Sequence, residues 1–358
     1  MCKLCIELDH VKSEAFSEKL VHSFNQGALS LMISIGHRTG LFDIMKNMPY
    51  STSREIADQA GLNERYVREW LGAMAAGEVV EVTGDGSKFF LSPEHAAFLT
   101  RDAGADNLGV FAQYISLLGG VEDRIINCFE NGGGVAYEEF GRFHEVMAED
   151  SGQSVLNTLV DQTLPLVPGI VDKLVSGIKV LDMGCGSGRA LNLMARNYPN
   201  SAFYGFDLCL EPIQTARKEA QSFGLTNVFF EQKDLTTYEP VGEFDLITAF
   251  DSIHDQARPD IVLDNIFKSL KDGGSFLMQD IDSNTNISKN IDHPLGTLLY
   301  TISTMHCMTV SLAQGGMGLG AMWGTDKAIE MLKEAGFKDI EIKRLEHDIQ
   351  NCYYILKK

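Results

Sequence analysis

The pattern of hydrophobic positions changes character near the middle of the chain. From residue 179 onward, short apolar runs alternate with longer amphipathic stretches. The runs Lys179–Leu181, Ala202–Phe206, Val228–Gln232, Phe244–Phe250, Ser275–Gln279, Asp339–Lys343 and Cys352–Leu356 read as strands. Helices fill the gaps, among them Glu211–Phe223, Pro259–Lys271 and Thr325–Ala335, stopped by Gly224, Gly273 and Gly336. Such alternation predicts an α/β fold with a mostly parallel, doubly wound sheet, helices on both faces, and a ligand at the carboxyl ends of the first strands.

The first hundred residues read differently. A long helix over Glu14–Gly40 carries an apolar stretch, Ala28–Ile35. Thr52 and Glu55 have the spacing of a capping box for a helix Arg54–Ala60, and Gly61 closes it. A second helix runs from Asn63 to Ala76. Glu78–Val82 and Lys88–Leu91 then flank a Gly84-Asp85-Gly86 turn as a hairpin. Helix, turn, helix and two-stranded wing make a winged helix-turn-helix α+β domain. Between the halves, Phe140, Phe143 and Met147 share a helical face beside Tyr137. They either pack one domain on the other, or Tyr137 and Phe143 close over a bound ligand. Leu164–Gly169 marks a boundary. The expected organisation is thus a winged-helix domain over 1–100, a helical connector or cap over 101–168, and an α/β domain over 169–358 with a long insertion at 283–324.

Charge narrows the partners. The formal net charge is −19, which disfavours nonspecific nucleic-acid binding and docking on anionic lipid. Residues 1–100 hold nine Lys and Arg against thirteen Asp and Glu, and Glu64 and Glu69 offset Arg65 and Arg68 on the second helix. The winged helix is therefore expected to pack against the α/β domain or a second copy of itself, its apolar first helix suiting a dimer interface, and not to read DNA. The seven cysteines are scattered and read as reduced thiols, with Cys2 and Cys5 a lone pair at the start. The first twenty residues lack the apolar core of a signal peptide, so a cytoplasmic protein is expected.

The chemistry gathers around Val180–Gly188. Three glycines at every second position follow Asp182, between a strand and a helix. Glycines there let the backbone curl tightly and bring a ligand against bare main chain. A dinucleotide fingerprint has a different spacing, and a carboxylate at Asp182 would repel a pyrophosphate while suiting an amino-bearing ligand. Asp207 ends the next strand and can accept from two ribose hydroxyls. Asp234 ends the third, where it can accept from an adenine amine beside Leu235.

This series, Asp182-Met183-Gly184-Cys185-Gly186-Ser187-Gly188, then Asp207, Asp234 and Leu270-Lys271-Asp272-Gly273-Gly274, resembles that of class I S-adenosylmethionine-dependent methyltransferases. The front end, with Asp251-Ser252-Ile253-His254-Asp255 and Gly318–Gly324, is similar to that of small-molecule O-methyltransferases and most like the Rv2258c-like winged-helix subgroup. The resemblance implies a seven-stranded Rossmann-like sheet with an antiparallel last strand. It implies S-adenosylmethionine as cofactor, held by Asp182, Gly184, Cys185, Gly186, Gly188, Asp207, Leu208, Asp234, Leu235, Phe250 and Asp251. It also implies a small acceptor, a thiol or phenol first. A cofactor-sensing regulator that binds DNA or protein is the alternative.

Methyl transfer is an in-line displacement in which the protein mainly positions donor and acceptor. His254 is the candidate general base, oriented by Asp255 or Asp251, and His306 is its rival. Tyr137, Phe143, Met305, His306 and Trp323 are candidate acceptor-lining residues. Asp251, Asp280 and Asp282 sit at neighbouring strand ends and offer the oxygens of a Mg²⁺ site, but capping of the loop after the strand accounts for Asp280 and Asp282 and no metal is expected.

Overall fold

The computed structural model describes residues 8–358; Cys2 and Cys5 lie outside them. The chain falls into two compact units, one up to Ser116 and one from Leu117. The Leu164–Gly169 segment lies within the second unit.

In the first unit a long helix, His10–Thr39, ends at Gly40 in the left-handed conformation. The capping box forms as expected: Glu55 N donates to the Thr52 hydroxyl and Thr52 N to the Glu55 carboxylate. It starts the helix Ser53–Ala60, which packs on the helix Glu64–Ala76 through Ile56, Ala57, Val67 and Leu71. The wing is shorter than expected. Only β1 (Glu81–Val82) and β2 (Phe89–Phe90) pair. The N–H groups of Val79 and Val80 instead turn back to the Met74 carbonyl and finish the preceding helix. Along the first helix, Phe16, Leu20, Phe24, Leu31 and Ile35 fall on one stripe. Each is exposed, Phe24 to 70 %.

The second unit is built on a seven-stranded sheet. Its strands are β3 (Lys179–Met183), β4 (Ala202–Asp207), β5 (Val228–Gln232), β6 (Phe244–Phe250), β7 (Leu270–Ile281), β8 (Ile340–Lys343) and β9 (Asn351–Lys357). Their order is β5-β4-β3-β6-β7-β9-β8. The pairs from β5 through β7 are parallel, and β9 is antiparallel to both its neighbours. Both faces are covered. Leu181, Ile247, Phe276 and Tyr354 point to one apolar layer, and Val180, Leu246, Leu277 and Tyr353 to the other. The order reverses at β3, so the crevice between β4 and β6 opens beyond the carboxyl end of β3.

Two boundaries move. The helix Pro259–Ser269 ends two residues early because Leu270 is already extended and pairs with Phe244. β7 therefore takes in Leu270–Gly274, which the glycines had suggested as a stop. Within the insertion, Gly296–Ile302, Ser303–Cys307 and Met308–Ala313 form one helical run whose middle is π-helical. No helix among the described residues is long and apolar enough to cross a membrane.

Candidate active site

The turn after β3 is shaped by its glycines. Gly184 has φ of 77°, and a Cβ there would come within 2.6 Å of Ser252. Gly188 has φ of 66°, and a Cβ there would meet Phe230 at 2.4 Å. Neither position accepts a side chain, so the main chain itself forms the floor. The amides of Gly184 and Cys185 both donate to the Phe206 carbonyl, and the Ser252 hydroxyl donates to the Met183 carbonyl. The ends of β3, β4 and β6 are thereby tied into one rim.

A cleft opens over this rim. Asp182, Gly184, Cys185, Gly186, Asp207, Leu208, Leu235, Phe250 and Asp251 line it, as do Tyr137 and Phe143. Asp207 is fixed by the backbone: Gly186 N donates to one oxygen at 2.9 Å and Cys209 N to the other at 2.8 Å. Burial still holds its carboxyl above the ordinary value. Asp182 is 3 % exposed and accepts from the Thr248 hydroxyl at 2.7 Å. Burial lifts its pKa to about 7, against the lowering effect of that hydroxyl, with the nearby Asp207 adding to the rise. Asp251 sits at φ of 49°, a strained position for a non-glycine residue, and accepts from Gln279 Nε2 at 2.9 Å.

The other expected residues lie elsewhere. Gly188 is buried behind the turn, and Asp234 is exposed, its carboxylate accepting from Thr236 of its own loop. Neither lines the cleft, nor do His254, Met305, His306 or Trp323. His254 is buried between two acids, with Nδ1 2.7 Å from Asp280 Oδ1 and Nε2 3.3 Å from Asp255 Oδ1. Burial would push its pKa down, but Asp280 and Asp255 outweigh it and hold the imidazole well above its ordinary value. The Trp323 indole donates to the same Asp280 oxygen at 3.1 Å. His306 is fully buried, stacked on Phe143 at 3.4 Å between ring centroids, and burial pushes its pKa well down. Thus Asp255, which reaches the cleft, links it to His254, and Phe143 links it to His306.

Asp251, Asp280 and Asp282 do not converge. Asp282 is held by the Arg344 guanidinium at 2.5 and 2.7 Å, Asp280 by His254, and Asp251 by Gln279. The sequence reading passed over His144, Met147, Ser151, Arg189, Gln256 and Gln314 as cleft residues. Only Met147 carried a signal, through its helical spacing from Phe140 and Phe143.

An acid at the tip of each of two adjacent strands, a bare main-chain turn between them and a seven-stranded sheet with an antiparallel insertion define a methyltransferase fold. Residues 174–336 match the family described as a methyltransferase domain, and residues 27–101 the Rv2258c-like winged HTH domain. The chain therefore joins these two domains, which bears out the resemblance carried by its motifs. A fatty-acid O-methyltransferase of Mycolicibacterium smegmatis is 32% identical over 106 residues, covering 30% of this chain and 38% of that protein. An uncharacterised protein of Rickettsia prowazekii is 33% identical over 150 residues, covering 41% of this chain and 27% of that one. The chain thus spans well under half the length of these two relatives. Human N-acetylserotonin methyltransferase, solved in complex with S-adenosylmethionine, shares the fold with a TM-score of 0.69 at 18% identity over 99% of both chains.

Proposed function

We propose that the protein transfers a methyl group from S-adenosylmethionine to a small-molecule acceptor. The observation that carries this reading is the rim of the cleft, where Asp182 and Asp207 flank a glycine turn that leaves main chain bare. In this reading Asp207 accepts from the ribose hydroxyls through its free lone pairs, with Leu208, Leu235 and Cys185 around the adenosine. Asp182 takes the ammonium of the methionyl group. The donor methyl then lies toward Asp251 and Phe250. Tyr137, Phe143, Gln256, Gln314 and Asp255 are the groups on the acceptor side. Asp255 backed by His254 is the nearest place for an acceptor proton to go, so the base role moves from His254 alone to the pair.

Similar proteins favour an oxygen acceptor, among them the fatty-acid O-methyltransferase and ubiquinone biosynthesis O-methyltransferases. The aromatic wall of Tyr137 and Phe143 suits a phenol or a small thiol as well. A role in reading DNA finds no support on the second helix of the winged domain. Its Arg65 pairs with Glu69 and its Arg68 with Glu64, which also meets Arg54 of the preceding helix. The exposed apolar stripe of the first helix fits a second copy of the chain instead. Light scattering is expected to give twice the chain mass of 39.5 kDa. A mass of one chain for the wild type would contradict the dimer.

Two experiments test the chemistry. The purified protein, incubated with S-adenosylmethionine and a panel of phenols, carboxylates, amines and small thiols, is expected to release S-adenosylhomocysteine with at least one class. Tight cofactor binding without turnover on any class would favour a sensor. The second is the pH dependence of cofactor affinity. Asp182 must be ionised to hold an ammonium, and its pKa is about 7. Affinity should rise with pH by up to about tenfold per unit below that value and level off above it. Asp182→Asn should weaken binding and flatten the profile, whereas a wild-type profile kept in the variant would remove Asp182 from the site.

A further inference from the structure

The π-helical turn Ser303–Cys307 sits inside an otherwise α-helical run. Such turns recur at functional sites, because the extra residue redirects side chains that a regular helix would space apart. Here it carries His306 and Cys307. A ring nitrogen of His254, a carboxylate oxygen of Asp255 and Cys307 Sγ all lie within 4.8 Å of one another. His254 and Cys307 are buried, and the Asp255 side chain is 14% exposed, enough to reach the cleft.

Three further features mark this cluster. Asp255 Oδ1 is buried and faces His254 Nε2 at 3.3 Å outside hydrogen-bond geometry. Both ring nitrogens of the fully buried His306 lack a hydrogen-bond partner, and Nδ1 is 3.9 Å from Asp255 Oδ2. Unsatisfied buried polar atoms are costly, so several together point to a missing partner. The far nitrogen of His254 is fixed by the Asp280 carboxylate at 2.7 Å, with Trp323 holding the same oxygen. A carboxylate behind an imidazole is the usual outer support of a metal-ligating histidine.

We propose that His254, Asp255 and Cys307 form a zinc site in the wall of the cleft. A mixed nitrogen, oxygen and sulfur donor set suits Zn²⁺, whereas Mg²⁺ and Ca²⁺ require oxygen ligands. The ion takes the place of the protons on the Cys307 thiol and on His254 Nε2, so Asp255 and His254 can receive an acceptor proton only in the metal-free protein. Three protein ligands leave a fourth position for His306 or for a small ligand, and a thiol is the ligand class that zinc there would favour. That last step rests on the proposed methyl transfer; the metal site itself does not.

The full-length protein, stripped with a chelator and dialysed, would be titrated with Co²⁺ and followed by absorption. One Co²⁺ per chain is expected, with thiolate-to-cobalt charge transfer in the near ultraviolet, tetrahedral bands in the visible, and displacement by one equivalent of Zn²⁺. The Cys2→Ser, Cys5→Ser double variant should keep this spectrum. Cys307→Ser should lose the charge-transfer band, and Asp255→Asn should bind Co²⁺ at least about 10-fold more weakly with the band retained. If Cys307→Ser does not fold by circular dichroism, Asp255→Asn and His254→Gln decide by the same affinity readout. No charge-transfer band in the wild type, or one that survives Cys307→Ser, overturns the site. Calorimetry of S-adenosylmethionine on the stripped protein separates the two readings. Retained cofactor binding without a cobalt band sinks the zinc site alone, while a cobalt band without cofactor binding sinks the proposed function alone.

Discussion

The carboxylate of Asp207 holds two loops at once. Its oxygens take the amides of Gly186 and Cys209, so the turn after β3 and the start of the helix after β4 are fixed to the same charge. Hydrogen bonds to a charged acceptor are among the stronger ones available to a backbone. Burial works against the charge, and the rise in its pKa records that cost. Backbone bonds thus fix the shape of the site, and preorganisation of this kind is what positioning a ligand needs. Everything else on the cofactor side follows from it. The bare turn at Gly184–Gly188 keeps its shape, Asp182 stays at the floor, and Ser252 ties the end of β6 to the same rim.

The region behind Asp255 is organised by a different interaction, the bond between Asp280 at the end of β7 and His254 after β6. Trp323 from the insertion closes on the same oxygen. A buried acid and imidazole pair is expensive to make and more expensive to break on one side. Its placement beside Asp255, at the cleft, concentrates charge where the acceptor of a methyl group would lie. The raised pKa of His254 and the lowered one of His306 separate two histidines that looked interchangeable as bases. His306 lies in an aromatic stack, while His254 lies among carboxylates.

Much of this was legible in the sequence. The apolar runs from Val180 to Leu356 located all seven strands of the sheet, because a parallel strand buried on both faces reads as a continuous apolar segment. Spacing alone placed the cleft acids Asp182 and Asp207, since strand ends in such a sheet converge on one crevice. What escaped was set by tertiary contacts. The wing shrank because Val79 and Val80 complete a helix. β7 began early because Leu270 finds Phe244. Asp234 looked like a ligand group from its strand position, but its side chain turns to Thr236. Cys307 gave no signal, since only the π turn brings it to His254. Gln314 gave none either, because its place in the cleft depends on how a long insertion folds back.

Asp207 is the proposed anchor of a ribose. Calorimetric titration of S-adenosylmethionine into the wild type and Asp207→Ala, both shown folded by melting, tests it most directly. One saturable site per chain is expected in the wild type, with binding at least about 100-fold weaker in the variant. Equal affinity in the two proteins would contradict the assignment of the cleft.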